Sequence, residues 1–230
     1  MSQPTQRLYS DINDDYAKSL LNQLLIKNIS TEDYQQAMLN LGRHLGSTLQ
    51  KTLDLEKKYC IVSTAEDADY LTKGIVEKLG VIPNNVFFAC FWNRRSKVNG
   101  TSIAPIYNKF LEPGYQNADE LIVVKSIIMG SCVVKTNITA LFEDVNPSAV
   151  HIVSPVMHKQ SSKKLKIEFP DRISKTFDFT VLATDTDESD DGDLIPGVGG
   201  SVYQRLGFKN QDDKNTFFPN IIKQKMAMSV

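Results

Sequence analysis

Five short runs in this chain are apolar at almost every position: Tyr59-Cys60-Ile61-Val62, Val86 to Phe91, Leu121 to Val124, Val150 to Val153, and Phe179 to Ala183. A strand with one face in water alternates apolar and polar residues, whereas a strand apolar throughout is covered on both faces. Helical segments separate the runs. Ala68 to Leu79 is one, with Gly80 suited to a left-handed C-cap, and Cys132 to Asp144 is another, ending before Asn146-Pro147. This alternation predicts an α/β fold with a doubly wound, mainly parallel sheet. Right-handed crossovers in such a sheet put ligands at the carboxyl ends of the strands.

Two helices are expected before the first strand. One runs around Asp14 to Ile26. The second starts at Ser30-Thr31-Glu32-Asp33, where a hydroxyl can accept from the free N–H groups of the first turn. Leu41, Leu45, Leu49 and Leu53 then recur every four residues, with Met38 on the same stripe, so one face is buried. We therefore divide the chain into an N-terminal helical arm (1–57), an α/β body (58–208) and a C-terminal tail (209–230), all within one domain. Asn93 to Asn117 has no strong period. Loops beyond about 12–15 residues in a compact domain are usually lids or disordered, so this stretch is read as a hood. Lys159 to Phe169 reads as a polar turn followed by an edge strand, Leu165 to Phe169.

Composition excludes several classes. Lys plus Arg total 26 against 27 Asp plus Glu, so no chain-wide sleeve for nucleic acid is indicated. No apolar run approaches the roughly 18 residues of a transmembrane helix, and Met1 to Gln6 lacks the apolar core of a signal peptide. Cys60, Cys90 and Cys132 form no C-x-x-C unit and read as reduced thiols of a cytoplasmic protein. The three histidines (His44, His151, His158) are scattered, so no metal site is expected.

Several segments carry chemistry or its plain alternative. Three glycines in Pro196-Gly197-Val198-Gly199-Gly200 let backbone approach a ligand, or simply close a tight loop. Gly130-Ser131-Cys132 precedes a helix whose first N–H groups suit a phosphate, or it is an ordinary turn beside Lys125 and Lys135. Trp92 is followed by Arg94, Arg95 and Lys97, a basic loop for phosphate or nucleic acid, or a solvated one. The run Lys159, Lys163, Lys164 and Lys166 has the same two readings. The acidic run from Asp185 to Asp193 has oxygen ligands for Mg2+ or Ca2+ but not the EF-hand spacing.

The segment Pro196 to Gly207, with its Pro-Gly-x-Gly start, resembles the closing segment of uracil phosphoribosyltransferases, members of the type I phosphoribosyltransferases. The likeness covers about residues 20–208. Ile26 to Thr31 and the leucine-rich helix are similar to that family's N-terminal arm. Cys60 to Ala68 sits where the family has a strand running into an Arg-Ala-Gly loop that holds pyrophosphate; the resemblance makes Ser63 and Thr64 ligand-binding. Val123 to Cys132 sits at the family's site for the 5′-phosphate of phosphoribosyl pyrophosphate, which brings in Lys125, Gly130, Ser131 and Cys132. Ile195, Gly197, Gly199, Gly200 and Tyr203 fall on the final loop, with Tyr203 at the base site, either to stack on a base or to pack in the core.

The chain departs from the family pattern at charged positions. Glu66 and Asp67 stand in the loop that carries the family's arginine. Lys125 or Ser126 replaces its phosphoribosyl-loop carboxylate, Gly200 an aspartate, and Tyr203-Gln204 an Asp-Arg pair. Phosphoribosyl transfer needs cations or Mg2+ on the departing pyrophosphate. The resemblance with these departures implies a divergent protein that binds a nucleobase, nucleotide or phosphoribosyl ligand without the groups for the usual transfer. Glu66, Asp67 and Asp193 are its candidate catalytic carboxylates, for stabilising a sugar cation or activating water. Mg2+ is implied only if it is catalytic. The alternative is a catalytically dead effector or sensor subunit of a larger assembly, a nucleic-acid-containing antiviral defence system being one setting. A third reading is a nucleic-acid-binding module using the basic loop. A homodimer is expected by family analogy, and no membrane partner is.

Overall fold

The computed structural model describes residues 7–54, 56–79, 85–190 and 192–228. Strand β1 (Arg7–Tyr9) is followed by α1 (Asp15–Leu24) and α2 (Thr31–Gln50). The Asp14 side chain caps α1 by accepting from Ala17 N, and Ser30 caps α2 by accepting from Asp33 N, as the sequence signals require. The leucine stripe of α2 is buried from Met38 to Leu49.

Strand β2 (Tyr59–Thr64) runs directly into α3 (Ala65–Asp67), a π-turn (Ala68–Thr72) and α4 (Lys73–Leu79). The expected cap at Gly80 lies outside the described residues. Next come β3 (Val86–Asn93), β4 (Ser96–Val98), β5 (Thr101–Ile103), β6 (Ile106–Leu111), β7 (Glu120–Val124) and β8 (Ile127–Ile128). Helix α5 (Cys132–Leu141) leads to β9 (Ala149–His158), α6 (Ser161–Ile167), α7 (Asp171–Ser174) and β10 (Phe177–Asp185). The chain closes with β11 (Asp187–Glu188), β12 (Leu194–Ile195), α8 (Val202–Arg205), α9 (Gln211–Thr216) and α10 (Asn220–Met228).

The main sheet has the order β1-β10-β9-β7-β2-β3-β6, with β8 also paired to β9. Its interior pairs are parallel, while β1 on β10 and β6 on β3 are antiparallel edges. Successive residues of one strand enter different cores. Ile61, Phe88 and Ile122 join the apolar cluster containing α1, α2 and α4, whereas Cys60, Val62, Ala89 and Leu121 join the one containing α5. Burial on both faces is why these strands read as continuous apolar runs.

Two expectations need correction. Asn93 to Asn117 is not a structureless hood: it holds the β4–β5 hairpin and the edge strand β6. Lys159 to Phe169 contains no edge strand. It forms α6, which buries Leu165 and leaves Ile167 72% exposed. The tail from 209 onward folds into α9 and α10. Ile222 reaches the core, and Trp92 Nε1 donates to Phe217 O at 2.8 Å.

Candidate functional site

Four charged side chains meet at the carboxyl ends of β2 and β7. Helix α3 starts at the residue after β2, so Glu66 and Asp67 sit on its first turn, against the sheet edge. Both are buried, and Thr64 Oγ1 donates to Asp67 Oδ2 at 2.8 Å. Lys125 follows β7 directly. Its Nζ donates to Asp67 Oδ2 at 2.6 Å and to Glu66 Oε1 at 3.2 Å. The fourth charge is Lys214, from α9, which is 0% exposed. Its Nζ donates to Asn93 O at 2.6 Å, lies 3.7 Å from Glu66 Oε2, and sits 5.3 Å from the centre of the Tyr203 ring.

Burial alone would discourage ionisation of Glu66, but the ammonium groups of Lys125 and Lys214 outweigh it and hold its carboxyl below the ordinary 4.5. Burial likewise works against the charge on Lys125, and Asp67 and Glu66 overcome it, so its affinity for the proton is raised. Lys214 goes the other way: burial and the nearby Lys125 lower it, despite Glu66. Burial and Glu66 push the Tyr203 phenol up to about 12. Two carboxylates against two ammoniums make the cluster neutral as a whole. Ser63 lies beside it and shares a 2.8 Å hydrogen bond with Thr72.

The loop after β12 is held from the N-terminal side. Arg7 binds Asp185 with two hydrogen bonds of 2.8 and 2.7 Å and also donates to Gly197 O. Asp185 in turn accepts from Gly197 N at 2.9 Å. Tyr34 donates its hydroxyl to Val198 O at 2.9 Å, and Arg205 Nε donates to Gly199 O at 2.8 Å. Gly197 and Gly199 have φ of +57° and +83°. A Cβ at Gly199 would lie 2.0 Å from Leu24 O, and one at Gly197 would lie 2.3 Å from Leu194 O. Glycine is required here by backbone contacts within the protein itself. Gly200 (φ +110°) has open space around it, and Ile195 belongs to β12.

The third region is the turn before α5. A Cβ at Gly130 would meet nothing within 4 Å. Ser131 donates its hydroxyl to Glu168, which also pairs with Lys135 at 2.9 Å. Cys132 Sγ lies 3.3 Å from Ser102 O on β5, and burial raises the thiol above its ordinary value.

The structure thus brings Glu66, Asp67, Lys125 and Tyr203 into one cluster, flanked by Ser63 and Thr64. Asp193 is exposed, and its backbone N–H donates to Ser189 Oγ at 3.0 Å. Arg94 pairs with Asp212 at 3.1 Å, the backbone of Arg95 exchanges hydrogen bonds with the Gln211 side chain, and Lys97 is on β4. In the acidic run, Asp185 is the partner of Arg7, and Asp191 lies outside the described residues. Among the described residues, no group of three or more His, Cys, Asp and Glu side chains is placed to hold a metal ion. No helix there is long and apolar enough to cross a membrane. Sequence reasoning missed Lys214. It sits in the polar run Gln211 to Thr216, where nothing marks one lysine for burial.

A mainly parallel sheet whose carboxyl edge carries these loops defines the class: a doubly wound α/β fold. No family model matches the chain. Two curated proteins do, both uracil phosphoribosyltransferases. One, from Methanococcus maripaludis, is 24% identical over 87% of this chain and 90% of its own length. The other, from Sulfolobus acidocaldarius, is 21% identical over 81% and 94%. Among solved structures, an Aquifex aeolicus protein is similar with a TM-score of 0.68 and 19% identity, covering 88% of this chain and 99% of that one. Over most of its length the chain is thus similar to uracil phosphoribosyltransferases.

Proposed function

We propose that this protein keeps the phosphoribosyltransferase fold without phosphoribosyl transfer and works as a binding subunit, an effector or sensor within a larger assembly. One observation carries the reading: the buried cluster of Glu66, Asp67, Lys125 and Lys214. By resemblance, the end of β2 is where the leaving pyrophosphate would rest. A pyrophosphate needs unpaired cations or Mg2+ there. Here the loop contributes two carboxylates, which repel it, and the two lysines that compensate them are already paired.

The test is a direct assay. Purified full-length protein is incubated with uracil, phosphoribosyl pyrophosphate and Mg2+, and uridine monophosphate and pyrophosphate are followed. No product above the enzyme-free background is expected. Steady turnover would overturn the reading, and would return Glu66, Asp67 and Asp193 to consideration as catalytic carboxylates.

The open turn at Gly130 favours a second reading, in which the chain binds a nucleotide through its phosphate. The same protein titrated with uridine monophosphate distinguishes the two. Saturable heat that disappears in Lys135→Ala supports nucleotide binding. In either case a homodimer in the cytoplasm is the expected form, and sedimentation of the pure protein tests the dimer.

A further inference from the structure

The environment of Lys214 has the composition of an ammonium receptor. A buried carboxylate, a backbone carbonyl and an aromatic face converge on one point: Glu66 Oε2 at 3.7 Å, Asn93 O at 2.6 Å and the Tyr203 ring at 5.3 Å. Carboxylate, carbonyl and π-face are the three groups that bind a desolvated primary ammonium. Glu66 Oε2 is buried and accepts no hydrogen bond. Lys214 is its ion-pair partner at 3.7 Å, and the other carboxylate oxygen is bound to Lys125.

The lysine that fills the receptor arrives on a segment that also buries Ile222 in the core and pairs Lys225 with Glu112 at 3.0 Å. Arg94–Asp212 is an exposed pair of a kind that contributes little. Gln211 holds the backbone of Arg95 at the surface. Beyond Lys214, Trp92 donates to Phe217 O, and its ring lies 5.5 Å from that of Phe218. The Asp69 carboxylate caps the start of α10 at 2.8 and 2.9 Å.

We propose that Glu66, Asn93 and Tyr203 form a binding site for a primary alkylammonium ligand, which the C-terminal segment occupies in cis with Lys214 and vacates when that segment lifts. The segment is then a strap, and Lys214 is its peg. The site stands on its own geometry, whether or not the fold transfers phosphoribosyl groups.

The experiment is chemical rescue of Lys214→Ala. The substitution removes three methylenes and the ammonium, so n-propylammonium replaces what is lost. Trp92 is the only tryptophan in the chain and is 1% exposed, so its fluorescence reports the strap directly. In Lys214→Ala, Tm is expected to fall by roughly 5–15 °C, as for removing one partner of a buried ion-pair cluster in a chain of this size, and the Trp92 emission to shift to the red. Saturating n-propylammonium chloride should restore at least half of both changes and leave the wild-type protein unaffected. Equal restoration by 1-propanol or by sodium chloride would overturn the proposal, because a neutral filler or screening would then suffice. If Lys214→Ala does not fold, Lys214→Met retains length without charge. It is expected to lose stability and to gain nothing from propylammonium, and undiminished stability would overturn the proposal.

Discussion

Two of the three loops at the carboxyl edge of the sheet are closed by the protein's own groups, and the third is open at its glycine. At the end of β2, carboxylates and lysines compensate one another. In the loop after β12, Gly197 and Gly199 press against carbonyl oxygens of the chain. At Gly130, a side chain would meet nothing. The same residue type therefore does different work in the two glycine-bearing loops: Gly197 lets the loop fold back on β12 and Gly199 lets it close onto α1, whereas Gly130 leaves a turn exposed. A glycine motif shared with a ligand-binding family can thus persist because the fold needs it.

The comparison can be broken by substitution. The largest effect is expected from Lys125→Ala, which leaves the buried carboxylates of Asp67 and Glu66 with Lys214 alone, 3.7 Å from Glu66 Oε2. Breaking a buried pair costs about 3–5 kcal/mol, and urea denaturation should show a loss of that size. Gly199→Ala comes next. It combines a positive φ with a 2.0 Å contact to Leu24 O, and a loss of about 2–4 kcal/mol is expected from backbone strain and overpacking together. Equal stability of this variant and the wild type would show that the closed loop is not closed by contact.

Acid should then loosen the molecule. Burial opposes ionisation of Glu66, Glu120 and Glu168, yet their cationic or hydrogen-bonding partners lower all three below 4.5. The unfolded chain thus binds more protons near that pH. The stability these groups contribute is present above about 4.5 and is lost as pH falls through their lower folded values, which a series of thermal melts can follow. A flat profile below 4.5 would remove the charges from the account. The smallest effect is expected at the open turn: Gly130→Ala should change stability by no more than about 0.5 kcal/mol in the same denaturation experiment.

Much of the fold could be read from residue patterns because burial imposes them. The stripe Leu41, Leu45 and Leu49 faces the core of α2, and the strands β2, β3 and β7 are apolar because helices cover both faces. The patterns failed where burial is slight. Strands β4 and β5 are short and exposed and carry no period. Leu165, Ile167 and Phe169 alternate as a strand would, but Leu165 and Phe169 are also four residues apart, and the chain forms a helix that leaves Ile167 in water. At the site, Glu66, Asp67 and Lys125 stood out through their departures from the family. Their mutual pairing did not, because it depends on β2 and β7 lying side by side in register. Lys214 and Asn93 are 121 residues apart in the chain, and only the fold brings them together.

The central claim is that the opposite charges at the end of β2 serve each other. A double-mutant cycle of Asp67→Asn and Lys125→Met, read by urea denaturation, tests it most directly. The expected result is a coupling energy of about 1.5–3 kcal/mol, with the double variant more stable than the sum of the single losses implies. Additivity to within about 0.5 kcal/mol would contradict the claim, since the two groups would then be independent and free to meet a ligand.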